Sequence, residues 1–370
     1  MRLALTMAVT LAIATLFPGS EDPGLPGPLS GARGLQTPGV PHPRGYVAHH
    51  TNARLTIDGR LDDIAWRNAA WTDAFVDIEG DAKPKPRFET RVKMAWDDTY
   101  FYVAADLTEP HVWGTLTAHD SVIFRDPDFE VFIDPNGDNH EYYEFEINAL
   151  GTFWDLLLPK PYKDDGKPVN AWEIPGLQSA VSVDGTLNDA RDTDRGWTVE
   201  LAFPWSVLGE LARRPSPPRE GDQWRVNFSR VEWPIEIAGR DYRKPAGAKE
   251  NNWVWSPQHV VDMHRPQTWG YVQFSRGEPG TRPFVPDLSW PARQWLMQVY
   301  DAQRAYKQAH RRFADTLAEL NLTLPNPSAL RNPTLKTAGS LFEASVELKD
   351  GDFVMQYMVR QDSLLTPVVR

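Results

Sequence analysis

The sequence predicts a mainly β protein, an antiparallel β-sandwich followed by a small C-terminal α+β unit. Three observations carry that prediction. Between residues 46 and 276, apolar side chains recur at every second position in short runs bounded by turn formers, the pattern of half-buried strands. After residue 290 the spacing changes to that of an amphipathic helix. At 370 residues the chain is long enough for two or three such units.

Composition narrows the function classes. The chain has no cysteine, which removes disulfides, thiolate catalysis and zinc–thiolate sites together. A net charge of −11 argues against nucleic acid or an anionic membrane surface as partner. P-loops, GxSxG elbows and GxGxxG fingerprints are absent from the sequence.

Taken in order, residues 1–20 read as a signal peptide: Arg2 precedes an uncharged run from Leu3 to Phe17, short for a membrane span. An uncleaved anchor is the alternative; export implies a secreted or periplasmic protein with no further membrane insertion. Residues 21–45 are dense in Pro and Gly and read as a linker. Within the sandwich, RVKMAWDD and TYFYVAADL flank an Asp97-Asp98 turn. GWTVELAFPW alternates Trp197, Val199, Leu201 and Phe203, and DQWRVNFSRVEW alternates Trp224, Val226 and Phe228 against Arg225, Asn227 and Ser229. DDIAWRNAAW and PWSVLGELA read as short helices or turns, and WGYVQFS closes the region. Trp66, Trp96, Trp197 and Trp224 fall on apolar parities and are expected in the core.

Residues 277–290 form a second linker, and 291–370 the α+β unit. There Trp295, Val299, Ala302, Tyr306, Ala309 and Phe313 make one helical stripe, with Pro291 in the first turn and Ser289 as its cap. LFEASVEL and FVMQYMVR follow as strands around an Asp350-Gly351 turn.

The most informative stretch is DPDFEVFIDPNGDNHEYYEFEIN, residues 126–148. Phe129, Val131 and Ile133 share one parity, as do Tyr143, Phe145 and Ile147 after the turn. This predicts a hairpin with one apolar face and a second face carrying Glu130, Glu144, Glu146 and Asn148. Like charges so close repel unless something compensates them, and Arg225, Arg230, a cation or a ligand are the candidates. A solvated face is the plainer reading.

LTIDGRLDDIAW, VKMAWDDTYFYVAADL, FEVFIDPNGD, YEFEINALGT, GWTVELAFPW, GDQWRVNFSR and HRPQTWGYVQF occur in an order that resembles carbohydrate-binding module family 9, of the DOMON-like type, over residues 46–276. That resemblance implies a secreted sandwich that binds a polysaccharide or oligosaccharide, with Glu130 and Asn148 at sugar-contacting positions and Phe124 where a stacking tryptophan stands. It departs where the family's arginine and glutamine become Glu146 and Glu144, and where a second tryptophan falls near Met263. The chemistry suits such a ligand: rings stack on the axial hydrogens of a sugar, while carboxylates and amides pair with vicinal hydroxyls. Trp154, Trp172 or Trp253 would supply the missing wall.

Further readings stay open. Asp134, Asn136 and Asp138 place oxygens at alternate turn positions, compatible with Ca2+ and equally with turn chemistry alone. Two carboxylates on facing strands are the minimum for a glycoside hydrolase. A haem b reading, carried because some DOMON-like sandwiches hold haem, has Met94, Met263 and His264 as candidate ligands, although a methionine in a strand is ordinarily core.

Overall fold

The computed structural model describes residues 41–325 and 329–368. The signal-peptide segment 1–20 and residues 21–40 of the first linker lie outside the described residues. In chain order the strands of the larger part are β1 (Gly45–His50), β2 (Val76–Asp77), β3 (Thr90–Trp96), β4 (Tyr100–Thr108), β5 (Asp128–Asp134), β6 (Tyr142–Asn148) and β7 (Phe153–Leu158). They continue as β8 (Gln178–Asp184), β9 (Gly196–Pro204), β10 (Gln223–Glu232), β11 (Glu236–Ala238), β12 (Asp241–Arg243), β13 (Asn251–Val254) and β14 (Gly270–Ser275). The two short helices are α1 (Ile64–Asn68) and α2 (Trp205–Leu208), both inside the segments expected to be helix or turn.

Except for β11 and β12, which form a separate two-stranded sheet, these strands make one curled sheet in the order β7-β6-β5-β10-β14-β1-β3-β4-β9-β8, with β13 paired to β10 and β2 to β13. β1 runs parallel to both β14 and β3, which the alternation pattern alone does not reveal, and so joins two antiparallel halves. The halves fold face to face. Phe129, Val131, Ile133, Phe145, Trp224, Val226, Phe228 and Phe274 from one meet Met94, Trp96, Phe101, Val103, Trp197, Leu201 and Phe203 from the other. Period-two alternation produces this directly, because every second side chain of each strand reaches the same core. The four tryptophans expected in the interior are all buried there, Trp66 in a smaller cluster on the outer side of β3 and β4.

The C-terminal part has its own core. Helix α3 (Trp290–His310) covers a four-stranded sheet of β15 (Leu330–Ala338), β16 (Leu341–Asp350), β17 (Phe353–Arg360) and β18 (Leu365–Val368). The sequence exposes only the middle pair of these strands; β15, interrupted by Pro333, and the short β18 are edge strands with weak patterns. Trp295 and Val299 of the helical stripe are buried against Val346, Tyr357 and Val359. Ser289 sits at the cap position, but its hydroxyl donates to Asp287 and accepts from Arg293 instead of capping the helix.

This unit is tied to the sandwich through polar contacts. The fully buried carboxylate of Asp164 accepts from the hydroxyls of Tyr300 and Ser363 and from Arg304, 3.1 Å away. Arg293 donates to the carbonyl of Gly137 at 2.7 Å, and Asn139 to that of Ser363 at 3.0 Å. Asp164→Ala would leave two buried hydroxyls without their acceptor, Arg304 keeping the Lys163 carbonyl, an expected loss of about 3 kcal/mol. Hydrogen exchange should then show residues 329–368 opening ahead of the sandwich; unchanged protection there would mean that the tie is unimportant.

Candidate functional site

The β5–β6 hairpin forms, with Glu130 opposite Glu146 and Phe132 opposite Glu144. Extending across neighbours, Ser229 of β10 lies opposite Glu130, and Trp154 of β7 opposite Glu146. Ser229, Glu130, Glu146 and Trp154 therefore form one row on the second face, with Asp128 and Asn148 beyond it. So far the sequence reading and the structure agree.

They part on exposure. The expectation of an open face is not met: Glu130, Glu144 and Glu146 are 4%, 5% and 2% exposed. A second apolar cluster roofs them, built from Phe132, Tyr142, Trp154, Leu156 and Leu158 on the strands and Ile123, Phe124, Tyr162, Met263 and Trp269 on the covering segments. The 3-10 turn Ile123–Arg125 is hydrogen-bonded to the floor, the Phe124 amide donating to Glu146 Oε2 at 3.0 Å. The roof comes from segments without hydrophobic periodicity, so no local pattern announces it.

Burial governs the electrostatics of the chamber. Glu130 is pushed up to about 7 by loss of solvent, opposed by the nearby Ser229 hydroxyl, which makes no aligned hydrogen bond. Asp128, Glu144 and Glu146 are raised well above the usual carboxylate range, by burial first and then by the charge of Glu130. The arginines proposed as counter-ions turn elsewhere. Arg225 lies 4.0 Å over the Tyr271 ring and donates to the carbonyls of Pro266 and Gln267. Arg230 shares the parity of Trp224, Val226 and Phe228 and points away from the chamber, donating to Glu109 at 2.6 Å and Glu232 at 2.9 Å.

The remaining candidates separate in the same way. Phe124 and Trp154 do stand beside the carboxylates, Trp154 with its indole N–H unpartnered. Asn148 is adjacent but saturated: its amide donates to Leu116 and Asp126, and its oxygen accepts from Leu150 and Thr152. A free amide for a ligand at Asn148 is thereby corrected to a structural knot. Trp172 stacks on Tyr143 at 4.9 Å on the main-core side of the sheet, and Trp253 is buried there too. Asp134, Asn136 and Asp138 use their oxygens within the turn: they accept from the amides of Gly137, Asn139, Asp138 and His140 and from the Asn136 side chain. Turn chemistry accounts for that motif without requiring an ion. Met94 lies in the main core, while Met263 and His264 lie at the second cluster, so these three do not frame one haem.

Two grooves do reach solvent. One, of about 500 Å³, runs along Asn52, Arg54, Leu55, Asp97, Asp98, Tyr100, Tyr102 and Gln178. Asn52 and Gln178 are exposed, and the half-buried Tyr100 ring lies 5.8 Å from that of Tyr102. Sequence reading missed it because its walls come from the β3–β4 turn, the Asn52–Ile57 loop and β8, none of which carries a motif. The other, of about 270 Å³, is lined by Phe88, Glu109, His111, Glu232 and Trp233. At its base Glu109 is pushed up to about 9 by burial and by Glu232, with Arg230 countering.

Comparison with known proteins places these observations. An exoglucanase from Acetivibrio thermocellus is 30% identical over 154 residues, covering 41% of this chain and 12% of that protein. An endo-1,4-beta-xylanase from Thermoanaerobacterium saccharolyticum is 30% identical over 152 residues, 41% of this chain and 11% of that protein. The chain thus spans only about a tenth of the length of these curated relatives. A solved carbohydrate binding module family 9 from Caldicellulosiruptor kristjanssonii in complex with glucose is 15% identical with a TM-score of 0.44, covering 65% of this chain and all of that one. A second, with cellotriose, gives 15% and 0.42 over 66% of this chain and all of that one; likeness at this level does not bear on the ligand here. The model of the carbohydrate family 9 binding domain-like family matches residues 57–273, the curled sheet apart from β1 and the end of β14, and the chain belongs to that family.

Proposed function

We propose that this chain is an exported, non-catalytic carbohydrate-binding protein whose saccharide lies in the open groove between Asn52–Ile57 and Asp97–Tyr102. The observation that carries the reading is the family match across residues 57–273. Accessibility selects the groove. A saccharide needs room and unsatisfied surface, and about 500 Å³ falls within the range of small-ligand sites. Tyr100 offers a ring to stack on and Asn52 and Gln178 offer exposed amides, while the Asp98 carboxylate at the rim already accepts from Arg276 at 2.6 Å. Asp97 is held in place by accepting from the amides of Thr99 and Tyr100 and from the Tyr102 hydroxyl.

A groove of this kind exchanges solvent hydrogen bonds for protein ones and gains little net per hydroxyl, so micromolar-to-millimolar binding is expected, about 4–8 kcal/mol. The hairpin chamber is the second reading, favoured by Phe124 and Trp154 beside Glu130, Glu144 and Glu146. It requires the Ile123–Arg125 turn to move aside. Retention on insoluble cellulose and xylan separates the two. Tyr100→Ala should weaken binding about tenfold, the value of one stacked ring, while Phe124→Ala leaves it unchanged. The opposite pattern would place the ligand under the turn, and no retention on any glycan of a broad panel would remove the function itself.

A further inference from the structure

We propose that Asp128, Glu130 and Glu146 hold a divalent cation inside the sandwich, with the Ser229 hydroxyl as a further ligand. The inference does not depend on carbohydrate binding in the Tyr100 groove and concerns the closed hairpin chamber instead. Each of the three acids offers a carboxylate oxygen, and these oxygens all lie within 4.8 Å of one another. A calcium ion takes its oxygens at about 2.3–2.6 Å, so two ligands across one ion stand at most about 5 Å apart. The spacing suits one ion.

The Ser229 hydroxyl is fully buried directly opposite Glu130 on the adjoining strand, and though near that carboxyl it makes no aligned hydrogen bond. Buried hydroxyls are ordinarily paired. Asp128 Oδ2 and Glu144 Oε2 are likewise buried without partners. One Asp128 oxygen accepts from the Val231 amide and one Glu146 oxygen from Phe124, so each of these residues is fixed by one oxygen. Neither Arg225 nor Arg230 turns toward the chamber. Closely spaced carboxylates in a dry site must either take up protons or share a cation, and a cation also satisfies the orphaned hydroxyl. An all-oxygen donor set without histidine favours calcium or manganese over zinc. Magnesium, which retains several waters, suits a chamber roofed by Trp154 and Ile123 less well.

The test uses the full-length chain stripped with a chelator. Terbium, a calcium surrogate, should bind one ion per chain and emit on tryptophan excitation, because Trp154 is paired directly with Glu146. Calcium should displace it and raise the thermal midpoint saturably. Ser229→Ala should weaken terbium binding about tenfold, and Glu130→Gln should abolish it, while Asp138→Asn in the neighbouring turn leaves it intact. If Glu130→Gln fails to fold, Ser229→Ala and calcium competition in the unaltered chain still decide. Absence of both emission and a calcium-dependent midpoint would overturn the site, as would binding that Asp138→Asn abolishes and Ser229→Ala spares.

Discussion

Replacing Arg230 with alanine is expected to destabilise the protein by about 3–5 kcal/mol, the largest effect of any single polar substitution considered. The guanidinium is 1% exposed and bridges two buried carboxylates, Glu109 and Glu232, while also donating to Thr90 and to the carbonyl of Thr108. Its plane rests 5.3 Å from the Trp253 ring. Alanine would leave two acids in the interior with no buried cation between them; Arg87, the other partner of Glu232, is largely solvent-exposed and touches only that one. Lysine should recover a minor part, since an ammonium cannot bridge both acids with the reach of a planar fork. Urea unfolding measures the difference directly. A loss below about 1 kcal/mol, the scale of a surface pair, would show that the bridge is not structural. A change in glycan retention at full stability would return Arg230 to the ligand site that the sequence suggested.

The second large effect is on pH dependence. Glu109 carries a folded pKa of about 9 because burial and the charge of Glu232 outweigh Arg230. A carboxyl whose folded value lies above its unfolded one binds its proton more tightly in the native state. Its stabilising contribution is complete below the unfolded value of about 4.3 and disappears as pH climbs toward the folded value. Stability should therefore fall between pH 5 and pH 9 by a few kcal/mol, since each tenfold difference in proton affinity is worth about 1.4 kcal/mol. Glu109→Gln, which keeps the shape and supplies a permanently neutral group, should make that slope shallower, the remainder coming from the hairpin acids, which burial raises in the same direction. Chelator should be present throughout, so that any cation in the hairpin chamber does not add its own dependence. If stability instead rises from pH 5 to pH 9 in the unaltered chain, Glu109 is ionised and the assignment is wrong.

Much of the architecture was legible in alternation alone. The parities of Phe129, Val131 and Ile133, and of Trp224, Val226 and Phe228, named the residues that meet in the main core. Arg230 is instructive, because its parity already set it on the core side with Trp224, whereas charge compensation suggested the hairpin acids. Parity was the stronger argument, since a strand cannot turn one side chain through its own sheet. The motif at Asp134, Asn136 and Asp138 was ambiguous for another reason. The same oxygens serve a turn or an ion, and the structure shows them accepting from the amides of Gly137, Asn139 and His140, as a turn requires.

What the sequence determined by itself is periodic: which residues lie on strands or helix, which side of each strand is apolar, and that Glu130, Glu144 and Glu146 share a face. These follow from backbone geometry acting over a few residues. Tertiary structure alone decided what stands over that face. The Ile123–Arg125 turn just before β5, together with Met263 and Trp269 from the segment leading into β14, converts an expected wet platform into a closed acidic chamber. It also decided where Arg225 and Arg230 find their partners and where a groove remains open at Tyr100. Solvent exposure and ion pairing depend on contacts between residues far apart in the chain, and local pattern carries no information about them.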